Sequence, residues 1–463
     1  MFWNAKFPTF SNQFSHSDTF DVVIVGGGIT GLSTAYYLKD SNLKVAVIEK
    51  DTVGRGVTAK STAKISYLQG DIYQKLDEDQ SYQYYLSQKD AIDSIVSIIK
   101  KEQISCDLEK VDSIIFTLDE DSIYKIEREK EILEKYGCSV FDVTSSKIKK
   151  GIGVHDTYVF HPVKYLAGLS RVLKDKISFY EHTLVSDIKK ESDYYVLKTN
   201  SGVMRAHHVV LACFYPFFLY PFFTPLKSYL KREYVNVCKM EEGYPYSAIS
   251  IDSTLHSIRY YKDYLLYNSN GHRLTSKIDY GKNYQQSQED FVTYFGKKPT
   301  YTWANQDMIS LDNLPFIGEV KSQLYTGCCY GGWGITNGTI AGRIISNAIL
   351  KKKPLYHNLF RPQRMSFSLF ASSFLGTFHY MKVYLQTLWK KNLPSYIRIN
   401  GVSYAIYKDK EGEVHRVCLV CPHMKCHLVY NSYDETWDCP CHGSRFKLDG
   451  TLLLGPAKED LKK

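Results

Sequence analysis

The order of residues 21–49 narrows the fold more than any other stretch of this chain. Asp21-Val22-Val23-Ile24-Val25 is a short apolar run, and Gly26-Gly27-Gly28-Ile29-Thr30-Gly31 follows it directly. Leu32 to Leu38 reads as a helix, Lys44 to Ile48 as a second buried strand, and Glu49-Lys50 closes that strand. A lone G-x-G-x-x-G carries little weight. Set between a strand and a helix, with an acid ending the next strand, it specifies a βαβ nucleotide-binding unit. Gly26 permits the tight turn, Gly28 lets the backbone approach a pyrophosphate, and Gly31 lets the helix pack on the strand. The phosphates would sit at the helix N-terminus, at Ile29 and Thr30, where free N–H groups and the dipole favour negative charge. Glu49 would accept hydrogen bonds from ribose hydroxyls.

The tail carries a second pattern. Cys421-Pro422-His423 is answered by Cys439-Pro440-Cys441-His442, so one loop offers a Cys-x-His pair and the other a Cys-x-x-His pair. Such a set can hold a 2Fe–2S cluster with two thiolates on one iron and two imidazoles on the other. Neutral histidines lower the cluster's negative charge and raise its potential to roughly −150 to +300 mV, against about −400 mV for a plant-type centre. Zinc also accepts two cysteines and two histidines. Zinc fingers, however, usually segregate the pairs, and here each loop mixes them.

The tail resembles a Rieske 2Fe–2S domain. That resemblance implies a disulfide between Cys426 and Cys441, a covering loop at Gly455-Pro456-Ala457, and an exposed tip made by His423 and His442. It also implies that the Ser444 hydroxyl bonds a cluster sulfur. High-potential Rieske proteins often place a tyrosine where this chain has Phe446, so the expected potential is below that of quinol-oxidising proteins. The chain stops soon after the covering loop, so the last strand is expected to be missing or short.

Other segments extend the resemblance upstream. Gly54 to Lys64 is small and hydroxyl-rich, and Asp312 to Gly318 is followed by Tyr325-Thr326-Gly327 and by Gly331 to Thr339. In that order these motifs resemble a DAO-type FAD-dependent oxidoreductase, here fused to the Rieske tail. The resemblance implies FAD contacts from Thr62, Ala63, Val185, Ala212, Gly334, Ile335 and Thr336, in addition to the glycine turn. Strands are expected at Leu184–Ile188, Tyr195–Thr199 and His207–Ala212. The implied fold class is α/β plus β: a Rossmann-like FAD domain with an antiparallel substrate sheet over residues 225–300, then a small all-β domain. The expected divisions are a 1–19 extension, a 20–355 flavoprotein unit, a 356–390 linker and a 391–463 Rieske domain.

What such a chain would do follows from that pairing. An amine or amino acid would give a hydride to FAD, and electrons would leave singly through the cluster to an external acceptor. A flavo-iron–sulfur relay or redox sensor with no substrate of its own is the alternative. A Rieske oxygenase would need a mononuclear iron held by two histidines and a carboxylate, and no spacing supplies that triad. For the substrate, Arg259 could clamp a carboxylate and His272 could shuttle a proton; a surface arginine and a turn histidine are the plainer reading of both. The net charge of +9 is scattered over single lysines rather than runs, which argues against nucleic acid. The first residues lack a signal-peptide pattern, so a cytoplasmic setting is expected. No run reaches the 18 apolar residues of a membrane span. The stretch from Phe367 to Trp389 reads as a connecting helix, or at most a peripheral membrane contact.

Overall fold

The computed structural model describes residues 2–10, 18–216, 224–274, 279–364, 378, 381–386, 396–399, 402–408 and 412–463. The connecting helix expected between Phe367 and Trp389 falls mostly outside them. Among the described residues no helix is long and apolar enough to cross a membrane.

Strand Thr19–Val25 lies at the centre of the first sheet, parallel to Val45–Ile48 on one side and to Gly202–Leu211 on the other. Ser178–Tyr180 extends the sheet beyond Val45–Ile48, and Leu324–Cys328 extends it beyond Gly202–Leu211. Central parallel strands are covered on both faces, which explains the unbroken Val22–Val25 and Val45–Ile48 runs. Helix Ile29–Leu38 packs against Gly334–Ile349, and the approach is close: a Cβ on Gly342 would stand 2.6 Å from Thr34 N. Val185–Glu191 and Tyr194–Thr199 form a hairpin on the strand Gly202–Leu211, where the sequence placed them.

The second sheet has nine strands and is wider than residues 225–300 suggested. Its path runs Tyr301–Ser310, Ser228–Lys239, Tyr264–Arg273, His256–Tyr261, Tyr246–Ser250, Glu109–Thr117, Lys150–Val159 and Lys64–Ile65. It is mixed rather than purely antiparallel, because Tyr246–Ser250 runs parallel to Glu109–Thr117. Residues 280–295 are not strand but helix. Asp279 caps that helix by accepting the Lys282 N–H, and Gly296 ends it in the left-handed region at φ +66°. The chain start is packed rather than trailing: Trp3 is buried and donates its indole N–H to the Ser61 carbonyl at 2.9 Å.

The tail forms two small sheets. Tyr396–Ile399, Val402–Lys408 and Val414–Cys418 make one, and Val429–Asn431, Thr436–Asp438, Arg445–Lys447 and Leu452–Leu454 make the other. Val417, Leu419, Leu428, Trp437 and Phe446 fill the space between them. After residue 457 the chain adds no strand, yet it is pinned: Leu461 is buried, and the Lys462 carbonyl accepts the Cys418 N–H at 2.8 Å.

Candidate functional site

The glycine turn is built by exclusion. Gly26 has φ +115°, and a Cβ there would stand 2.6 Å from the Ala212 carbonyl oxygen. At Gly31 a Cβ would stand 1.9 Å from the oxygen of Gly26, so only glycine lets the helix sit this close to the strand. Gly28 differs. Its nearest neighbour would be Thr58 Oγ1 at 3.4 Å, which leaves open space beside the backbone where a pyrophosphate must approach. Glu49 is held in place by the Gly27 N–H at 2.9 Å and the Asp51 N–H at 3.1 Å, and burial pushes its carboxyl up against those bonds.

A cavity of about 260 Å³ opens on this turn. Gly26, Gly28, Ile29, Thr30, Glu49, Lys50, Thr62, Val185, Ala212, Gly334 and Ile335 line it, all of them cofactor residues expected from the sequence. Gly31, Ala63 and Thr336 do not line it. Gly31 serves helix packing. Ala63 is buried with φ +56°, and the Thr336 hydroxyl accepts from the Gln69 amide at 3.1 Å. Thr58 and Ser61, from the hydroxyl-rich segment Gly54 to Lys64, line the cavity too, as do Thr183 and Tyr215, which the sequence did not single out. Leu454 to Lys458 also form a wall of it, so the loop Gly455-Pro456-Ala457, expected only as a cover for the cluster, faces the flavin cavity as well.

The cluster loops bring Cys421, Cys439, His423 and His442 together. Cys421 and Cys439 are buried and hydrogen-bonded to each other through their sulfurs. Backbone N–H groups of His423 and Met424 also point at the Cys421 sulfur, and those of Cys441 and His442 at the Cys439 sulfur. The two imidazoles lie 5.0 Å apart, ring to ring. Burial pushes His423 down to about 4 and His442 to about 3, so both are neutral, as metal ligation requires. The His423 Nδ1 is buried with no hydrogen-bond partner among the described residues. Cys426 and Cys441 form the expected disulfide between the loops. The sulfurs of Cys426, Cys439 and Cys441 lie within 4.8 Å of one another, but the disulfide occupies two of them, which leaves Cys439 and the neighbouring Cys421 as the free thiols that could hold a cluster iron. Ser444 faces Cys421 and accepts the Ala457 N–H at 3.0 Å, tying the covering loop to the cluster site. Phe446 is fully buried and offers no hydroxyl.

The expectation of an exposed histidine tip fails for His442, which is only 5% exposed. The tail is docked on the first unit with its histidine end inward. Tyr215, itself a lining residue of the cavity, stands edge-on to His423 at 6.5 Å and to His442 at 6.3 Å. The dock is polar and buried. Arg232 donates to Asp438 at 2.7 Å, with both side chains 1% exposed, and also to Gln306. Gln306 in turn donates to the Gly443 carbonyl at 3.0 Å. Tyr284 stacks on Tyr433 with rings 3.7 Å apart and donates to Asp434 at 2.8 Å. Asp438 and Asp434 also receive Arg445. A buried ion pair of this kind contributes little net stability but holds one geometry, because breaking it leaves a buried charge alone.

Residues 21–348 match the family of FAD dependent oxidoreductases called DAO, and residues 379–463 match the Rieske [2Fe-2S] domain. The chain belongs to the DAO family of FAD-dependent oxidoreductases and carries a Rieske domain. Its donors fit both groups: open space at Gly28 for FAD, and two thiols with two neutral imidazoles for the cluster. The Bacillus subtilis protein YhfW, named for a Rieske 2Fe-2S centre, is 28% identical over 96% of this chain and 92% of its own length. The gamma-glutamylputrescine oxidoreductase of Escherichia coli is 22% identical over 73% of this chain and 85% of its own. Glycine oxidase from Geobacillus kaustophilus superposes with a TM-score of 0.65 at 16% identity, covering 75% of this chain and 100% of that one, a likeness of fold.

Neither catalytic candidate from the sequence lines the flavin cavity. Arg259 is fully buried rather than at the surface, and its guanidinium is committed to the carbonyls of Thr62, Ala63 and Phe160. It shapes the segment beside the flavin cavity and has no geometry for clamping a substrate. His272 accepts or donates to the Tyr234 hydroxyl at 2.9 Å, and burial pushes it down to about 4. It is therefore neutral at physiological pH and sits on the side of the docked tail, beside Arg232 in the strand register.

Proposed function

We propose that this flavoprotein oxidises a small amine- or amino-acid-like molecule and delivers the electrons internally, from flavin to Rieske cluster, before an external acceptor takes them. FAD, when bound, takes two electrons with a hydride, whereas a 2Fe–2S cluster carries one electron at a time. The observation that carries the reading is the inward docking of the histidine ligands. Tyr215 belongs at once to the flavin cavity and to the surroundings of His423 and His442. Arg232, Gln306 and Asp438 keep that separation fixed. The external acceptor approaches where the cluster loop remains open, at Met424, which is 46% exposed beside His423.

The test is an anaerobic titration of the protein holding both cofactors with a panel of amines and amino acids. A true substrate bleaches the flavin absorbance and then raises the EPR signal of the reduced cluster. In Tyr215→Leu, bleaching proceeds as before while the cluster signal rises about tenfold more slowly or worse. Bleaching with no cluster signal in the unaltered protein overturns the internal route. No bleaching across the panel favours the relay without a substrate of its own.

A further inference from the structure

Three neighbouring strands of the second sheet present one polar wall to the flavin cavity. Glu233 comes from Ser228–Lys239, Asn268 from Tyr264–Arg273, and Asn305 with Asp307 from Tyr301–Ser310; all four line the cavity. The strand register assembles them. Glu233 pairs with Asn305, Lys231 with Asp307, and Val235 with Asn268. Alternate residues of a strand share a face, so these side chains stand together.

The wall has more acceptors than donors. The Glu233 carboxylate is met by Lys231 at 2.9 Å and by the Asn268 amide at 2.6 Å. Three acceptors have no such partner. Asn268 is 8% exposed, and its Oδ1 is buried with no hydrogen-bond partner among the described residues. The same holds for Asn305 Oδ1 and Asp307 Oδ2. Burial, together with Glu233, pushes the Asp307 carboxyl up to about 7. A carboxyl in that condition is stabilised as an anion by any cation placed beside it. An ammonium group brings three N–H donors, a positive charge and no acceptor.

A carboxylate finds no uncommitted counterpart on this wall, where the one lysine, Lys231, is held by Glu233 at 2.9 Å. No arginine lines the cavity among the described residues. Arg232 is committed to Asp438 and Gln306, and Arg259 to main-chain carbonyls. The lining lysines stand elsewhere. Lys50 donates to the Leu453 carbonyl, Lys60 lies on the side of Asp434 and Asp438, and Lys458 lies near His423. Lys64, behind the wall, is held by the Ala248 carbonyl and the Ser257 hydroxyl.

We propose that this wall receives the ammonium end of the substrate, and that the substrate class is an amine with no carboxylate beside its nitrogen. The inference rests on the oxidoreductase reading above and narrows it.

A matched pair of probes tests it: pentylamine, and norleucine, which is the same molecule with a carboxylate added next to the nitrogen. Both are titrated calorimetrically into the protein holding its cofactors, without oxygen, at fixed pH and ionic strength. Pentylamine is expected to bind about tenfold or more tighter than norleucine, since norleucine must bury a carboxylate that this wall leaves unpaired and that costs at least such a factor. Asp307→Asn is expected to weaken pentylamine about tenfold while FAD content and melting temperature hold. Asn305→Ala, which deletes a second acceptor, weakens it by a smaller factor. Equal binding of norleucine overturns the proposal. So does an unchanged pentylamine affinity in both variants, or a loss of FAD from Asp307→Asn, which would assign the carboxylate to the cofactor. Flavin bleaching on the same samples is read separately. Pentylamine that binds, depends on Asp307 and never bleaches the flavin keeps the wall and overturns the oxidation.

Discussion

The glycine turn and the cluster loops are both cradles for a cofactor, yet they are built from opposite materials. At residues 26–31 the site is backbone, and its shape depends on side chains being absent: a Cβ is excluded at Gly26 and Gly31 and left room at Gly28. At residues 421–444 the site is side chains, four of them donors, held by a disulfide and by the Ser444 contact with the covering loop. The first cradle draws its rigidity from the sheet that continues out of it. The second belongs to a small domain with a modest core, and its rigidity comes from cross-links and from the dock on the larger unit.

That contrast breaks most sharply inside the turn itself. Gly31→Ala forces a methyl to 1.9 Å from the Gly26 oxygen and is expected to destabilise the flavin unit by about 4 kcal/mol or more, seen as lost soluble protein or a collapsed melting temperature. Gly28→Ala is expected to change stability by only about 0.5 kcal/mol, since φ −85° suits alanine and no atom crowds the site. It should nonetheless lower FAD affinity about tenfold, measured by flavin fluorescence on dilution. If the two variants behave alike, the distinction between packing and cradle glycines is wrong.

The dock comes next. Asp438→Asn leaves Arg232 buried beside a neutral partner and is expected to cost about 3–5 kcal/mol in denaturant unfolding. Burial alone would raise the Asp438 carboxyl, but Arg232 and Arg445 outweigh it and hold the group well below the usual carboxylate range. A depressed carboxyl contributes its full stability above the unfolded value, about 3.9, and loses it as pH falls from there towards the folded value. Acid titration followed by limited proteolysis should therefore release the tail below about pH 4 in the unaltered protein. In Asp438→Asn that acid step should be missing. A further effect concerns the loops: replacing Cys426 and Cys441 by serine is expected to cost about 3 kcal/mol for a separation of 15 residues, with faster loss of iron on chelation as the readout.

The two cradles were legible in the sequence for the same reason: each is dictated by residues close together in the chain. Gly26 to Glu49 spells a βαβ unit, and Cys421 to His442 spells a ligand set, before any tertiary contact is known. The relation between them was not legible. Arg232 meets Asp438, Gln306 meets Gly443 and Tyr215 meets His442 across long stretches of chain, and no local pattern announces such pairs. This is why the histidines were read as an outward tip. Arg259 misled for a related reason: its place in Ser257-Ile258-Arg259 hides that the strand turns it inward, where three carbonyls hold its two terminal nitrogens. Asp307 passed unnoticed because a single acid in a strand reads as an outward-facing residue until its neighbours are known.

The wall at Leu454 to Lys458 has a consequence for how the molecule comes into being. The flavin cavity is opened by Val25 and Gly26 and closed by Leu454 to Lys458, which are synthesised more than 400 residues later. A growing chain can complete both large sheets and still present the nucleotide cradle with one side missing. Flavin capture in its final form is thereby tied to the maturation of the iron–sulfur domain. Failure to build the cluster would surface as a leaky flavoprotein as well as a missing electron carrier.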